Sequence, residues 1–272
     1  MDKGQCVKVQ AVDSSADDAV PTEENRRRPK RPDVIAGHIR DLIVEHGLKP
    51  GDRLPQEWLR AEKLRASRGT LREAMKILQI EGLIINKTGP GGGTFISALT
   101  PNQAILLLGN LFLFQQPSIA DIYAIRKLLE PEVAADVAGR ISPEGFEALH
   151  ATIRFYQDEP KNAQEEYEQR LAELDFHVEL ARHCSNELLG FMCTFLARLL
   201  RDTTECRAIY AQHNPQLREA GLGYQVQLLR AIKAGDGGKA RQIMRDHMQE
   251  AEQYMLERAE IRIIKRKHPH EV

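Results

Sequence analysis

The sequence predicts a mostly α-helical protein of two domains: a small N-terminal domain that ends in a β-hairpin, and a larger C-terminal antiparallel bundle made only of helices. Three observations predict this fold class. A chain of 272 residues is long enough to form two hydrophobic cores. Apolar residues recur with the helical period over most of its length. Breaks rich in glycine and proline leave only short links between these stretches, which favours antiparallel neighbouring helices.

The domain boundaries follow from composition. Residues 1–32 begin acidic and end in a basic run, which is typical of a disordered arm. We expect a first domain over residues 33–98, a linker helix within 99–117 and a helical domain over 118–262. Residues 263–272 are expected to form a basic tail. The basic run before residue 33 could follow a phosphate backbone or could simply be solvated.

Residues 67–76 predict a helix with an apolar face and a separate basic stripe. Such a helix suits a reader of the DNA major groove, because one face can dock on the domain while the other meets phosphates and base edges. A basic stripe by itself is also compatible with a solvated helix face. The apolar face holds Leu71, Ala74, Met75 and Leu78, and the stripe holds Arg68, Arg72 and Lys76.

The segments before this helix complete a helix-turn-helix pattern. A first helix has one apolar face, a turn breaks it over Leu48–Pro55, and a short helix of about residues 56–64 follows. Only a few residues separate that short helix from the basic one, which is the helix-turn-helix spacing. The apolar face of the first helix consists of Val34, Ile35, Ile39, Leu42 and Ile43.

A short hairpin is predicted after the basic helix. Gly82 stands where a C′ glycine would end that helix. Residues 83–86 and 94–96 predict two short strands, and Gly89–Gly93 predict a glycine-rich tip between them. A hairpin in this position is a wing, whose bare backbone can approach a phosphate or a minor groove closely. A flexible surface hairpin is the alternative for this segment taken alone.

Four linked motifs resemble the GntR family of bacterial transcription regulators: Pro50–Pro55, Ser67–Ala74, Glu81–Leu83 and Gly93–Ile96. The resemblance covers residues 33–97 and implies a winged helix-turn-helix domain that binds double-stranded operator DNA. The residues it places at the DNA are Ser67, Arg68, Gly69, Thr70, Arg72, Lys76, Lys87, Gly91, Gly92 and Gly93.

The chain departs from the family pattern just before the turn. Trp58 occupies a position where the family often has arginine, and Arg60 one where an apolar residue is usual. Trp58 is therefore either a packing anchor of the domain or a DNA contact.

The charge distribution agrees with nucleic-acid binding by the first domain only. The net charge of the whole chain is −1. Residues 30–98 contain 12 Lys+Arg and 8 Asp+Glu, whereas residues 99–272 contain 21 and 25. The modest positive balance of the first domain is the one that favours DNA.

The cysteine spacing and the apolar segments argue against a secreted protein and against a membrane protein. The four cysteines form no C-x-x-C pair, which argues against a zinc ribbon and suits a reducing cytosol. The apolar run over residues 104–114 is too short to span a membrane, and the N-terminus lacks a signal-peptide core. We therefore expect a cytoplasmic bacterial protein without a membrane partner.

Helical patterns dominate the second domain, and breaks such as Ser142-Pro143 separate them. The predicted helices are residues 102–113, 119–139, 143–156, 162–183, 186–208, 215–234 and 237–262.

Polar residues interrupt three apolar stripes of this bundle. His177 has Glu173 one turn before it, His247 lies in line with apolar neighbours, and Gln225 shares a face with leucines. A carboxylate and an imidazole at positions i and i+4 converge on one point, as metal ligands on a helix do. A histidine held in the core by hydrogen bonds is the alternative for each one singly.

Motifs of the second domain resemble the FCD effector-sensing domain, and this resemblance implies that the chain is similar to the FadR-type branch of the GntR family. The resemblance runs over residues 118–255 and rests on Arg126 with Glu130-Pro131, Phe176-His177, Ser185-Asn186, Ala231–Asp236 and His247. In that domain an Asp and three His often hold a zinc-like divalent ion beneath the effector.

The resemblance implies metal ligands at Glu173, His177 and His247, with Gln225 where the middle histidine is usual. Glutamate keeps a carboxylate on a longer arm, but glutamine offers only a weak amide oxygen. Either a divalent ion or a hydrogen-bonded polar floor is compatible with these residues.

The candidate effector-binding residues are Arg126, Gln225 and Arg198. Arg126 lies among apolar residues and needs a partner, which a carboxylate effector would provide in bidentate form. A salt bridge to Glu130 is the alternative. Arg198, with Arg201 beside it, is a candidate from the facing helix, and its alternative is a surface ion pair.

The leading hypothesis is a homodimeric, ligand-responsive transcription regulator that binds a near-palindromic operator. The resemblance implies a repressor, and the expected effector is a small carboxylate or acyl derivative. One alternative is a metal-assisted hydrolase with Glu173 as base. Because we find neither a nucleophile elbow nor a phosphate loop, we expect no enzyme. Another alternative is a DNA-binding architectural protein that responds to no ligand.

Overall fold

A computed structural model describes residues 30–155, 157–213 and 215–267 of the chain. Within these residues it contains ten α-helices, one short 3₁₀ helix and a single two-stranded antiparallel sheet, which confirms the predicted fold class. The chain divides into two compact units between Leu99 and Thr100. The predicted N-terminal arm lies mostly outside the described residues, as does the part of the predicted tail after Lys267.

The first helix, α1 (Arg31–Glu45), begins within the predicted arm and has Pro32 in its first turn, where the missing N–H is not needed. Val34 was predicted on its apolar face, but 55% of Val34 is exposed. That prediction was wrong because, at 3.6 residues per turn, the buried residues are centred on the opposite side of the helix. The buried residues of α1 are Ile35, Ala36, Ile39 and Ile43.

The predicted short helix over residues 56–64 was also wrong. The segment forms a 3₁₀ helix, Gln56–Leu59, followed by turns. Arg60 adopts an extended conformation (φ −81°, ψ 120°) that ends the 3₁₀ helix, and Arg65 has a positive φ of 48°. These two backbone conformations leave room for single turns but not for a continuous α-helix.

The basic helix, α2 (Arg68–Ile80), begins at a serine cap and ends at a glycine. Ser67 Oγ accepts a hydrogen bond from the Thr70 N–H at 3.1 Å. Gly82 has a φ of +74°, which confirms the predicted C′ glycine. Ala74 and Leu78 are buried on the side of α2 that faces the core.

The wing consists of β1 (Ile84–Lys87) and β2 (Gly93–Ile96), paired antiparallel with Ile84 opposite Ile96 and Lys87 opposite Gly93. A segment before the helix-turn-helix extends this pairing. The Leu54 N–H donates to Thr94 O at 2.9 Å, and the Ile96 N–H donates to Asp52 O at 2.8 Å. The turn at Leu48–Pro55 therefore anchors the base of the wing.

The second unit is a bundle of eight helices in the described residues. Its predicted helix over residues 186–208 is two helices, because Thr203 takes an extended conformation (ψ 138°) and its hydroxyl caps the next helix by accepting from the Cys206 N–H. The helices are α3 (Pro101–Leu111), α4 (Ile119–Val137), α5 (Pro143–Arg154), α6 (Ala163–Arg182), α7 (Glu187–Asp202), α8 (Thr204–Tyr210), α9 (Pro215–Ala234) and α10 (Gly237–Lys267).

α10 continues five residues beyond its predicted end at residue 262, because no helix breaker occurs before Pro269. α4 packs against α6, α7, α9 and α10, so any polar residue on its buried face meets side chains from several helices. None of the helices in the described ranges has both the length and the apolar character needed to cross a membrane.

We expect Gly82→Ala to destabilise the first unit by about 1–2 kcal/mol, because an L side chain at positive φ is strained. A Cβ at this position would also lie 2.7 Å from a Leu99 side-chain carbon. Gly37→Ala is the matched control, since Gly37 lies inside α1 with no neighbour within 4 Å of a new Cβ. It should stabilise the unit by up to about 1 kcal/mol.

The measurement is urea unfolding followed by the fluorescence of Trp58, which is the only tryptophan of the chain and packs on the core of this unit. Equal unfolding midpoints for the two variants would contradict the assigned helix end.

Candidate functional sites

The basic stripe of α2 is free to meet an external partner. Arg68, Arg72 and Lys76 are all exposed, and none of them forms an ion pair with another described residue. By contrast, Arg40 of α1 is paired with Glu81 at 2.5 Å. The stripe therefore presents three uncompensated cations on the face of α2 opposite its buried residues.

The positions of the wing glycines exclude other residues for different reasons, either packing or backbone conformation. A Cβ on Gly92 would lie 2.6 Å from Lys87 O, and a Cβ on Gly93 would lie 2.8 Å from Arg53 Nε. The Arg53 guanidinium also donates to Gly92 O at 2.7 Å. Gly92 is thus required by packing inside the hairpin, whereas Gly93 is required by its backbone, because L side chains rarely adopt its φ of +148°. Gly91, with a φ of +79° and nothing within 4 Å of a new Cβ, is exposed at the tip, as is Gly89.

Two further residues of the first unit, Lys87 and Trp58, make defined aromatic contacts. Lys87 lies on the wing with its Nζ 4.8 Å above the centre of the Phe95 ring. Trp58 packs on the hydrophobic core of the unit, and its ring centre is 4.7 Å from that of His46. These contacts agree with the interpretation of Trp58 as a packing anchor.

A buried ion pair lies at the centre of the second unit. Arg126 and Glu130 are one turn apart on α4, with Nε 2.5 Å from Oε1, and their side chains are 1% and 4% exposed. The predicted alternative of a salt bridge to Glu130 therefore occurs. Arg126 Nη1 and Nη2 are also buried, yet they have no hydrogen-bond partner among the described residues. Two strong donors thus point into the domain unsatisfied.

The ion pair continues into a cluster of side chains from α6 and α10. The second oxygen of Glu130 contacts His177 Nδ1, which fixes the imidazole ring. His177 Nε2 then lies 3.3 Å from Glu173 Oε1, and the same oxygen lies 3.3 Å from His247 Nε2. The three predicted metal-ligating residues therefore come together, with their ligand atoms within 4.8 Å of one another.

Residues of α9 close the cluster from another side. The Tyr224 hydroxyl lies 2.9 Å from His177 Nε2 and 3.1 Å from Glu173 Oε1. Gln225 is fully buried and donates from Nε2 to the Tyr224 hydroxyl at 3.1 Å, while its Oε1 has no partner among the described residues. Its role in binding an effector stays a prediction.

The charges of the cluster compensate one another. Burial by itself would raise the pKa of Glu130, but Arg126 and His177 lower it to about 2. Burial would lower the pKa of His177, but Glu130 raises it to about 9. The pKa of Glu173 is well below its usual value because hydrogen bonds from the two histidines outweigh burial. Burial lowers the pKa of His247, which keeps this imidazole neutral.

Arg198 is not brought into this cluster. It donates to Asn102 Oδ1 at 2.9 Å and lines an open surface groove together with Asp175 and Glu179. Its neighbour Arg201 forms a surface ion pair with Asp175 at 2.7 Å. Both arginines lie on the α7 surface that solvent reaches, so the structure places Arg198 apart from Arg126.

Two aromatic residues of the site were missed from the sequence. Tyr123, whose ring lies 4.9 Å from the Arg126 guanidinium, precedes Arg126 by less than one turn. Tyr224 directly precedes Gln225. Helical spacing from Leu228 would have placed Tyr224 on a buried face, but spacing does not reveal that its hydroxyl meets His177.

The fold and the sites define a class: a winged helix-turn-helix DNA-binding protein with a helical ligand-binding domain. Comparison with family models agrees. Residues 32–96 match the model described as bacterial regulatory proteins of the gntR family, and residues 121–250 match the FCD domain. The chain therefore belongs to the GntR family of transcription regulators, in its branch with an FCD domain.

Two relatives with similar sequences are also named as regulatory proteins. The chain is 28% identical over 212 residues to the HTH-type transcriptional regulator LutR of Bacillus subtilis (strain 168), covering 78% of this chain and 94% of that protein. It is also 28% identical over 221 residues to an Escherichia coli (strain K12) regulatory protein named for the L-lactate dehydrogenase operon, covering 79% and 83% of the two chains. These matches favour a regulator over the hydrolase and the architectural protein.

A solved structure shows the same fold. The chain named Streptococcus agalactiae GntR superposes with a TM-score of 0.55 at 22% sequence identity, covering 82% of this chain and 99% of that one.

We expect Glu130→Gln to destabilise the helical domain by about 3–5 kcal/mol, because it leaves the buried Arg126 without its counter-ion. Glu147→Gln is the matched control. Glu147 pairs with Arg154 on the surface, where both side chains are more than half exposed, so its loss should change stability by no more than about 0.5 kcal/mol.

The effect should also depend on pH. The folded-state pKa of Glu130, about 2, is below its ordinary value of 4.5, so its contribution is present above pH 4.5 and is lost as the pH falls towards 2. Urea unfolding followed by far-ultraviolet circular dichroism measures this. A gap between wild type and Glu130→Gln that stays constant on acidification would contradict the charge assignment.

Proposed function

We propose that this regulator binds a near-palindromic operator as a homodimer in the bacterial cytoplasm, and that a small carboxylate bound in the helical domain changes its affinity for DNA. The observation that carries the effector part is the pair of buried, unpartnered Arg126 nitrogens. We further propose a repressor, whose operator is released when the carboxylate binds.

The unpaired stripe on α2 supports the DNA-binding half of the proposal. A reading helix needs cations and polar groups that are not already satisfied within the protein. Arg68, Arg72 and Lys76 meet this condition, with Ser67 and Thr70 at the amino end of the helix. A two-fold dimer would present two such helices to successive major grooves, which accounts for a near-palindromic site.

The chemistry of Arg126 supports a carboxylate as effector. Its Nε is held by Glu130, so the two remaining nitrogens form the edge of a planar fork that matches two carboxylate oxygens. The relative named for the L-lactate dehydrogenase operon makes small hydroxy acids the first compounds to test. Gln225 Oε1, buried and unpartnered, could accept from a hydroxyl of such a compound.

The donor set of Glu173, His177 and His247 fits a divalent ion of the zinc type. One carboxylate and two imidazoles are common ligands of such ions, and three protein ligands leave a position open. His247 Nε2 is buried and lies 3.3 Å from Glu173 Oε1, so the three donor groups already face one another. An ion bound there would supply positive charge that attracts an effector carboxylate.

The effector can act only through a difference in affinity. A carboxylate changes DNA binding if it binds the DNA-competent and DNA-incompetent states with different free energies. Because α4 packs on α6, α7, α9 and α10, a ligand held by Arg126 touches the centre of the helical domain.

Arg72→Ala should abolish specific operator binding, because each lost bidentate base contact costs about 1–3 kcal/mol. The control is Arg154→Ala, which removes the same charge from the surface of the helical domain. Duplexes selected from a random pool by the wild type provide the operator, and fluorescence anisotropy measures affinity. Wild-type affinity in Arg72→Ala would show that α2 does not read the operator.

Arg126→Lys should reduce carboxylate affinity about tenfold to a hundredfold, because lysine keeps the charge but lacks the planar fork. Arg201→Lys is the control, since Arg201 makes only a surface pair with Asp175. The assay is the thermal midpoint of each variant titrated with L-lactate and other small mono- and dicarboxylates. Equal shifts for Arg126→Lys and wild type would refute the proposed carboxylate site.

A further inference from the structure

We propose that Tyr224 is the fourth protein ligand of the ion, in place of the imidazole that is absent at position 225. This inference rests on the proposed function, in which Glu173, His177 and His247 hold a divalent ion. It adds a phenol oxygen from α9 to ligands that come from α6 and α10.

The position of the Tyr224 hydroxyl is the first argument. Its oxygen lies 2.9 Å from His177 Nε2 and 3.1 Å from Glu173 Oε1, two of the three proposed ligand atoms. The phenol oxygen therefore lies within the ligand cluster and not beside it.

The spacing of the atoms is the second argument. Metal bonds of about 2.0–2.2 Å place neighbouring ligand atoms of a tetrahedral site roughly 3.4 Å apart. Four of the six separations between these donor atoms are 2.9, 3.1, 3.3 and 3.3 Å, and the donor atoms of Glu173, His177 and His247 all lie within 4.8 Å of one another. Small adjustments would therefore bring the Tyr224 oxygen and the three other donors to the vertices of a four-coordinate site.

The surroundings of the phenol are the third argument. The Tyr224 ring stacks on the His247 ring, with 12° between the planes, and lies at 28° to the His177 ring. Gln225 directs its Nε2 at the Tyr224 oxygen, at 3.1 Å. An amide donor of this kind orients a ligand oxygen and stabilises negative charge on it. Gln225 thus acts as a positioning residue for Tyr224.

The binding step releases two protons. The Tyr224 O–H bond and the His177 Nε2–H bond both break, the two protons pass to solvent, and the freed oxygen and nitrogen each form a bond to the ion with a lone pair. The result is a donor set of two imidazole nitrogens, one carboxylate oxygen and one phenolate oxygen. The phenolate replaces the electron pair that an imidazole at position 225 would have donated.

The test is ion binding by chelator-treated full-length protein. Wild type should bind one Zn²⁺ per chain by isothermal titration calorimetry, and Tyr224→Phe should bind at least tenfold more weakly. With Cu²⁺, wild type should show a phenolate-to-metal charge-transfer band that Tyr224→Phe lacks. Tyr254→Phe, which removes a hydroxyl from another tyrosine of the helical domain, should match wild type in both assays.

A double variant separates ligation from a structural role. Adding Gln225→His to Tyr224→Phe restores a fourth ligand, so Zn²⁺ affinity should recover while the Cu²⁺ band stays absent. Circular dichroism checks that each variant is folded. Failure of the double variant to regain affinity would contradict the role of Tyr224 as a ligand.

The remaining outcomes separate the role of Tyr224 as a ligand from the existence of the ion site itself. If Tyr224→Phe binds Zn²⁺ as well as wild type, or more tightly because the hydroxyl occupied the place of the ion, the inference is overturned and the ion site stands. If wild type binds no ion, the ion and the role of Tyr224 both fail, whereas carboxylate binding by Arg126 is tested separately by Arg126→Lys.

Discussion

Arg126 carries a permanent positive charge in the middle of a helix bundle, and the arrangement of the helical domain depends on how that charge is balanced. A buried charge is tolerated only when it is paired and hydrogen-bonded. Glu130 takes one nitrogen of the guanidinium, and its other oxygen contacts His177. Positive and negative groups then alternate from Arg126 to Glu173, so that four ionisable side chains share one interior without a large net charge.

This chain of charges is better explained by binding than by stability. Apolar side chains of similar volume would often stabilise a core equally well. The bundle instead keeps a guanidinium with two unsatisfied nitrogens next to a carboxylate and imidazoles that can hold an ion. A small carboxylate that paired with these two nitrogens would satisfy the donors that the protein leaves without partners.

Sequence reasoning placed most of the helices because caps and breaks are local signals, as at Ser142 before α5. It failed where backbone conformation was decided by one residue, as at Thr203, which divides a predicted helix in two. The residue pair Glu173 and His177 could be predicted from helical spacing. Contacts between helices could not be predicted, because the spacing of residues along one helix does not determine which side chains of another helix they contact. Tyr224 was missed for that reason.

Under the proposed function, carboxylate binding in the helical domain and operator binding by the winged helix are linked. Linkage requires that the carboxylate change operator affinity by the same factor by which the operator changes carboxylate affinity. The most direct test is therefore operator affinity measured by fluorescence anisotropy over a series of carboxylate concentrations, together with carboxylate affinity measured with and without operator. We predict two equal factors, with operator affinity falling to a plateau. An operator affinity independent of carboxylate concentration would contradict the account.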